Sequence, residues 1–233
     1  PRPAQSTAPV PRPAGAPKPA PAAAAPAARA SKLGALKRER LREALRYVFY
    51  GPPGVGKTSL VADMEDMVHL DIEGGSAEIE SRRYPFRLNP DGSVPPGGYQ
   101  PERYEDVDAA LDDLIANQGH GIGTVALDGF SKLEAMLHTF ICERDKKSNI
   151  EAYGFGKGYK VALVEWRRLL GKLDALRARG VQVVLVGHSN VRTFKNPEGD
   201  DFDRYQLLLN EQAASELVGW ADVVGFIHFE GGA

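Results

Sequence analysis

The sequence is poor in several features whose scarcity excludes whole classes of protein. One cysteine, Cys142, among 233 residues excludes an internal disulfide and is typical of a reducing cytoplasm. The net charge of −2 excludes a strongly basic nucleic-acid-binding protein of the usual kind. No apolar run reaches the roughly 18 residues that span a bilayer, and the N-terminus lacks the apolar core of a secretory signal. We therefore expect a cytoplasmic protein with no membrane partner.

The N-terminal part differs in composition from the rest. Residues 1–30 are almost entirely proline and alanine, which cannot bury enough apolar surface to offset the entropy of ordering. We expect a disordered tail that acts as a linker or, alternatively, as a basic arm that touches nucleic acid. Residues 31–45 place cations among leucines and predict a basic lead-in helix with a solvated face. Residues 46–233 would form the main domain. The chain begins at Pro1 and ends at Ala233 directly after an apolar segment, so we expect a piece of a longer protein, truncated at the C-terminus.

From residue 46 onward, apolar strands alternate with amphipathic helices. Strands are predicted within residues 46–50, 67–72, 123–127, 181–186 and 222–229. Helices are predicted from about residue 57, over 104–117, 131–144 and 159–179, and from 210 to about 220. This alternation predicts an α/β fold with a central, mostly parallel five-stranded sheet and helices on both faces. The turn Asn196-Pro197-Glu198-Gly199 further predicts a β-hairpin over residues 191–208.

The most specific motif follows the first predicted strand. Gly51-Pro52-Pro53-Gly54-Val55-Gly56-Lys57-Thr58 matches the phosphate-binding pattern G-x-x-x-x-G-K-[ST] at every fixed position, and Ser59 follows it. The glycines let backbone N–H groups point at phosphate oxygens, and the helix that follows adds its positive N-terminal end. Lys57 should reach the β- and γ-phosphates, and the Thr58 hydroxyl should bind Mg²⁺. We therefore expect the segment from Gly51 to Ser59 to hold ATP with Mg²⁺.

Two acidic residues close predicted strands that should end at the same edge of the sheet. Asp128 ends the apolar strand 124–127, as in a Walker B element that holds Mg²⁺, although a turn aspartate is the alternative. Gly129 stands where many motor ATPases carry their water-activating glutamate, so the catalytic base must lie elsewhere. Glu73 ends the preceding strand and would share a rim with the phosphates. We expect it to orient and deprotonate the attacking water, unless it is a solvated residue of the Gly74-Gly75 turn.

The histidines separate into one candidate for catalysis and four others. The very apolar strand 183–187 ends at His188, which would sense the γ-phosphate from the strand tip, unless it is a surface or internally satisfied histidine. The others show no metal-ligand spacing, so no zinc site is predicted. These are His69, His120, His138 and His228.

These motifs together resemble a known family. The segments YGPPGVGKTSL, LDIEGG, VALDGF and VVLVGHSN are similar to the RecA-like recombinase fold, and more closely to phage and prophage AAA-type ATPases described as single-strand annealing or recombination proteins. The resemblance spans about residues 47–229 and implies that Glu73 is the catalytic glutamate and Asp128 the Walker B aspartate. Recombinases usually carry glutamine where this chain has His188, and the Gly-Pro-Pro-Gly spelling is more usual in AAA proteins. The resemblance also implies a homo-oligomeric ring or filament that binds single-stranded DNA, in the bacterial host cytoplasm if the chain is phage-encoded.

The same resemblance implies two DNA-facing loops, at about residues 148–158 and 190–205. The second interleaves cations with aromatic rings, which suits single strands because cations track phosphates while rings stack on bases. Acidic residues within 198–203 would repel a DNA backbone, so an ordinary surface hairpin or a subunit contact is the alternative. The family also implies a cation supplied in trans, for which Arg192, Lys195 and Arg204 are candidates. The possible DNA-contacting residues are Arg192, Phe194, Lys195, Arg204 and Tyr205.

The sequence therefore favours an Mg²⁺-dependent ATPase coupled to DNA recombination or annealing. The first alternative is a DNA-annealing oligomer that uses nucleotide as a switch, with little hydrolysis. A P-loop kinase is less favoured, because no arginine-rich lid lies between Asp128 and His188. A protein-remodelling AAA+ machine is a further alternative: it would need a helical lid domain, which does not fit before residue 233 but could follow in a part of the protein beyond it.

Overall fold

The computed structural model describes residues 43–117 and 121–230. The predicted tail and most of the predicted lead-in helix lie outside these ranges; residues 43–45, the end of that helix prediction, belong to neither helix nor strand. The strands are β1 (Arg46–Gly51), β2 (Met67–Asp71), β3 (Arg82–Arg83), β4 (Thr124–Asp128), β5 (Gln182–Phe194), β6 (Phe202–Leu207) and β7 (Val223–Phe226). The helices are α1 (Lys57–Ala62), α2 (Tyr104–Ala116), α3 (Phe130–Arg144), α4 (Lys157–Arg177) and α5 (Glu211–Trp220), with a short 3-10 helix at Ile150–Tyr153. Among these described helices, none combines the length and the apolar character needed to cross a bilayer.

The sheet confirms the predicted α/β fold and corrects the predicted number of strands. In the described residues, the neighbouring strands of the order β3-β2-β4-β5-β1-β7 all pair in parallel. The sixth parallel strand, β3, has two residues. It lies within residues 74–101, whose many glycines and prolines predict an irregular segment. The prediction of five strands was therefore wrong. Its two arginines carry no apolar pattern, and they form a strand because the edge of β2 lies beside them. The predicted hairpin exists, since the end of β5 pairs antiparallel with β6.

Both faces of the sheet are buried, which explains the continuous apolar character of the central strands. One face packs its valines and leucines, Val48, Leu70 and Leu127 among them, under α2, α3, α4 and α5. The opposite face packs against α1 through Val61 and Met67. Each fully buried side chain of this size contributes about 1.5–3 kcal/mol relative to exposure, so the pattern holds the strands in place.

The topology brings the ends of four strands to one edge. In the paired registers, Asp71 is aligned with Asp128, Asp128 with Val186, and Gly51 with His188. The carboxyl ends of parallel strands form the edge where ligands bind in open α/β sheets. The phosphate-binding loop and the predicted acidic residues therefore meet at the same rim.

Candidate functional site

The loop between β1 and α1 folds into an open cradle. Gly54 and Gly56 adopt φ values of 75° and 88°, in the left-handed region where a side chain is strained. Gly56 is also the residue that precedes the first turn of α1, so the change of hand leads directly into the helix. The glycines of the motif are thus required by the backbone path, as the sequence pattern predicts.

Lys57 lies folded over this loop. Its side chain is largely buried, and its ammonium donates hydrogen bonds to the carbonyl oxygens of Gly51 at 3.2 Å and Pro52 at 2.7 Å. Burial lowers the pKa of Lys57, while the carboxylates of Asp128 and Glu73 oppose that shift. The charge is therefore held at the centre of the cradle, in contact with weak acceptors that a phosphate oxygen can replace.

Thr58 and Asp128, predicted as the magnesium ligands, are in direct contact. The Thr58 hydroxyl donates to Asp128 Oδ2 at 2.5 Å, from the first turn of α1 to the end of β4. A hydroxyl and a carboxylate in this arrangement are oxygen donors of the kind that Mg²⁺ prefers. The residues present therefore fit that ion.

Glu73 and His188 form a second contact across the rim. His188 Nε2 lies 2.5 Å from Glu73 Oε1, so the two predicted catalytic side chains are partners of one another. A Cβ placed at Gly129 would lie 2.5 Å from Glu73 Oε2. The Glu73 carboxylate thus occupies the space beside Asp128 that a side chain at position 129 would take.

These residues line one cavity of about 330 Å³. Its walls are formed by Gly54, Gly56, Lys57, Thr58, Ser59, Glu73, Gly75, Ile79, Asp128 and His188. The other predicted loop residues are not among those that line the cavity: Gly51 is the buried end of β1, and Pro52, Pro53 and Val55 belong to the turn that follows it. Sequence reasoning missed Gly75 and Ile79, which belong to the segment predicted to be irregular.

That segment is tied to β2 by polar contacts. Asp71 had no role predicted from the sequence. It accepts hydrogen bonds from the Gly74 backbone at 2.8 Å and from the Ser76 hydroxyl at 2.6 Å. Arg83 donates to the Ser76 hydroxyl at 3.2 Å and to the carbonyl oxygens of Ser76 and Ile79. The wall of the cavity next to Glu73 is therefore anchored from both of its ends.

The hairpin beyond His188 separates its charges between two faces. Arg192 pairs with Arg204 and Phe194 with Phe202, so these four side chains share one face. The Arg204 guanidinium lies 4.1 Å from the centre of the Phe194 ring, and the Phe194 and Phe202 rings lie 5.2 Å apart. Arg192, half-buried, donates to the carbonyl of Leu209 at 2.9 Å. We call this the cationic-aromatic face.

The other face of the hairpin holds Asp203, the acidic residue of its paired strands. Thr193 donates to Asp203 at 2.7 Å. Tyr205 lies on this face and stacks on Phe226 of β7, with 4.8 Å between ring centres. The five residues predicted to contact DNA are therefore divided: Tyr205 lies opposite the cationic-aromatic face, and Lys195 follows the end of β5, where it is paired with Asp201.

Comparison with known proteins identifies one family. Residues 43–232 match the family described as AAA domain. No curated protein matches the chain. Similar solved structures include the RadB recombinase, at 13% identity and a TM-score of 0.43, covering 78% of this chain and 73% of that one. Another is the flagellar accessory protein FlaH from Methanocaldococcus jannaschii, at 10% identity and a TM-score of 0.28, covering 74% and 81%.

Proposed function

The chain belongs to the AAA domain family, and from that premise we propose that it binds ATP with Mg²⁺ and hydrolyses it. The observation that carries the proposal is the convergence of Lys57, Thr58, Asp128 and Glu73 on one cavity. These residues come from the first turn of α1, from the segment directly after β2 and from the end of β4. Their types are those needed to hold a triphosphate, to bind a hard cation and to accept a proton.

The residues divide the work of hydrolysis between them. The backbone N–H groups of the loop and Lys57 bind the triphosphate, with the ammonium exchanging the Gly51 and Pro52 carbonyls for phosphate oxygens. Thr58 and Asp128 would hold Mg²⁺, which neutralises developing charge on the phosphate oxygens. Glu73 orients a water and accepts its proton.

His188 has a position suited to control of Glu73. Its imidazole holds the Glu73 carboxylate across the end of β4. We propose that His188 also contacts the bound γ-phosphate, while its contact with Glu73 keeps that carboxylate directed at the water. His188 would thereby report the loss of the γ-phosphate after hydrolysis.

The test of this assignment is steady-state ATP hydrolysis beside binding of labelled ATP. Glu73→Gln should bind ATP as the parent does and lose hydrolysis by 10²-fold or more, in the range of about 10²–10⁴-fold for loss of a general base. Lys57→Ala should lose ATP binding, because it removes the ammonium that contacts the phosphates. The domain should stay folded, because the backbone of the loop is not altered. Unchanged binding of labelled ATP by Lys57→Ala would contradict the proposal.

We further propose that hydrolysis is coupled to single-stranded DNA, in recombination or annealing of the phage type. The support is the cationic-aromatic face, where rings can stack on bases and guanidinium groups can meet phosphates. Asp203 lies on the opposite face, so it does not oppose a strand bound there. A homo-oligomeric ring or filament would let Arg204 or Lys195 reach the site of a neighbouring subunit.

The DNA proposal is tested by the same assay with and without single-stranded DNA. If DNA stimulates hydrolysis in the parent and this stimulation is lost in Glu73→Gln, the coupling is supported. Hydrolysis indifferent to DNA would reject the coupling and leave the ATPase assignment in place. If Glu73→Gln still anneals DNA in the presence of ATP, the nucleotide acts as a switch rather than as fuel.

A further inference from the structure

A histidine that the mechanism above does not use lies directly behind the metal-binding carboxylate. His69 is in the middle of β2, and its side chain is 2% exposed. Its Nε2 lies 3.6 Å from Asp128 Oδ2 and is one of the buried polar atoms without a hydrogen-bond partner in the described part of the chain. Its Nδ1 lies 3.3 Å from the Ser81 hydroxyl.

The position of His69 in the sheet explains why it reaches Asp128. In the pairing of β2 with β4, His69 is aligned with Ala126 and Asp71 with Asp128. Side chains alternate between faces along a strand, so His69 and Asp128 point to the same face of the sheet. That face also carries apolar groups such as Met67 and Ala126, so an imidazole buried there is unfavourable unless its nitrogens have hydrogen-bond partners.

The two ring nitrogens of His69 face two different parts of the site. The Ser81 hydroxyl can donate to Nδ1, and Nε2 can then carry a hydrogen directed at Asp128. Asp128 Oδ2 also accepts from Thr58, so this carboxylate lies between a donor on α1 and the imidazole on β2. Ser81 belongs to the segment that carries Gly75 and Ile79 of the cavity wall.

We infer that His69 is a positioning residue for Asp128, which orients this carboxylate toward Mg²⁺ and ties it through Ser81 to the cavity wall. The inference rests on the proposed binding of ATP with Mg²⁺. Outer partners of metal-binding carboxylates fix their orientation, and their loss costs about 10–100-fold in metal affinity. A shift of a few tenths of an ångström closes the 3.6 Å separation to a hydrogen bond, so ion binding can draw the pair together.

The test compares the gain in ATP affinity that Mg²⁺ provides. A fluorescent ATP analogue is titrated into the whole chain with Mg²⁺ and, separately, with EDTA, and the ratio of the two affinities is the readout. His69→Leu should reduce this ratio about tenfold, at the lower end of the range for outer partners, and leave the affinity in EDTA unchanged. Thermal unfolding of each variant shows whether the fold is intact.

A matched pair of polar variants separates the two ring nitrogens. The amide of glutamine reaches about as far as Nε2, whereas the amide of asparagine reaches only about as far as Nδ1. His69→Gln should therefore keep the Mg²⁺-dependent gain, and His69→Asn should lose it. These two variants decide the matter even if His69→Leu fails to fold.

The outcomes distinguish this inference from the proposal on which it rests. Equal Mg²⁺-dependent gains in His69→Gln and His69→Asn would overturn the role of His69 and leave ATP binding standing. Equal loss of affinity with and without Mg²⁺ would make His69 a packing residue and would also overturn it. Failure of the parent chain to bind the analogue at all would instead reject the proposed function.

Discussion

Glu73, two residues beyond β2, lies 2.5 Å from the imidazole of His188 in β5. Since β4 lies between β2 and β5 in the sheet, this contact crosses the end of β4. The contact passes over Asp128 and Gly129, where the phosphate-binding loop and the acidic residues meet. The proposed base is therefore held by a residue from a different strand. The geometry of catalysis depends on that partner as well as on Glu73 itself.

Replacement of His188 should slow hydrolysis more than it weakens ATP binding. Without the imidazole, the Glu73 carboxylate loses a fixed orientation, and misplacement of a reacting group by about 1 Å can cost 10²-fold. We expect His188→Ala to lower kcat by about 10–100-fold and to change the affinity for ATP little. His188→Gln, which keeps a donor, should retain part of the rate. A raised KM with unchanged kcat would show that His188 binds substrate and does not position Glu73.

A methyl group at position 129 should act on the base without unfolding the domain. A Cβ there would meet Glu73 Oε2 at 2.5 Å, and that atom is the end of a flexible side chain that can move away. Gly129→Ala should therefore lower kcat about 10–100-fold, as for other small displacements of a catalytic group. Thermal unfolding and labelled-ATP binding should stay close to those of the parent. Full activity in Gly129→Ala would mean that the position of Glu73 in the structure is not the one used in catalysis.

The two faces of the hairpin should differ in their effect on DNA. Arg204 lies on the cationic-aromatic face, so Arg204→Ala should weaken binding of single-stranded DNA. It should also lower the slope of log affinity against log salt concentration by about 0.7, the value for one cation on a single strand. Lys195→Ala is the matched control, because Lys195 is 85% exposed, lies beyond the paired residues of the hairpin and has its charge paired with Asp201. Equal effects of the two substitutions would reject the assignment of faces.

The ion pair of Arg46 with Asp222 should make stability depend on pH. Arg46 Nε and Nη2 donate to Asp222 at 3.1 and 2.8 Å, and this hydrogen bonding holds the pKa of Asp222 below its usual value of 3.8. The contribution is therefore complete above the unfolded-state pKa and is lost as the pH falls through the lower folded-state pKa. Asp222→Asn should cost about 1 kcal/mol near pH 7.

Denaturant unfolding at pH 7 and near pH 3 checks this prediction. The difference in free energy of unfolding between the parent and Asp222→Asn should shrink at the lower pH, where the aspartate begins to be protonated. Glu216→Gln is a suitable comparison, since its partner Arg167 is more exposed than Arg46 and the pair should contribute less. A cost for Asp222→Asn that does not change with pH would show that packing, and not charge, is responsible.

The sequence predicts those parts of the molecule that depend on local pattern. β4 is recognisable from the sequence by its apolar run, which ends in Asp128. That run reflects the burial of all five residues of the strand. The cradle is recognisable because its glycines are required by backbone conformation. The strand β3 is not, because Arg82 and Arg83 form it only through the neighbouring edge of β2.

Contacts between distant parts of the chain lie beyond such reasoning. Glu73 and His188 are 115 residues apart, and their contact depends on β4 lying between β2 and β5, an order that periodicity does not encode. His69 was recognised only as a histidine without metal-ligand spacing, since its distance to Asp128 follows from the β2–β4 register. The division of the hairpin into two faces likewise requires the pairing of Arg192 with Arg204.

The strand β5 is long enough to connect the cavity to the hairpin without a break. The strand runs unbroken from Gln182 in the core, through His188 at the cavity, to Phe194 in the hairpin. At about 3.3 Å per residue, Phe194 lies about 20 Å along the strand from His188. Pairing with β6 stiffens this half of the strand, so we expect the hairpin to move as one unit. A tilt of the strand at His188 would then displace the hairpin tip by a larger distance, because no loop separates the two.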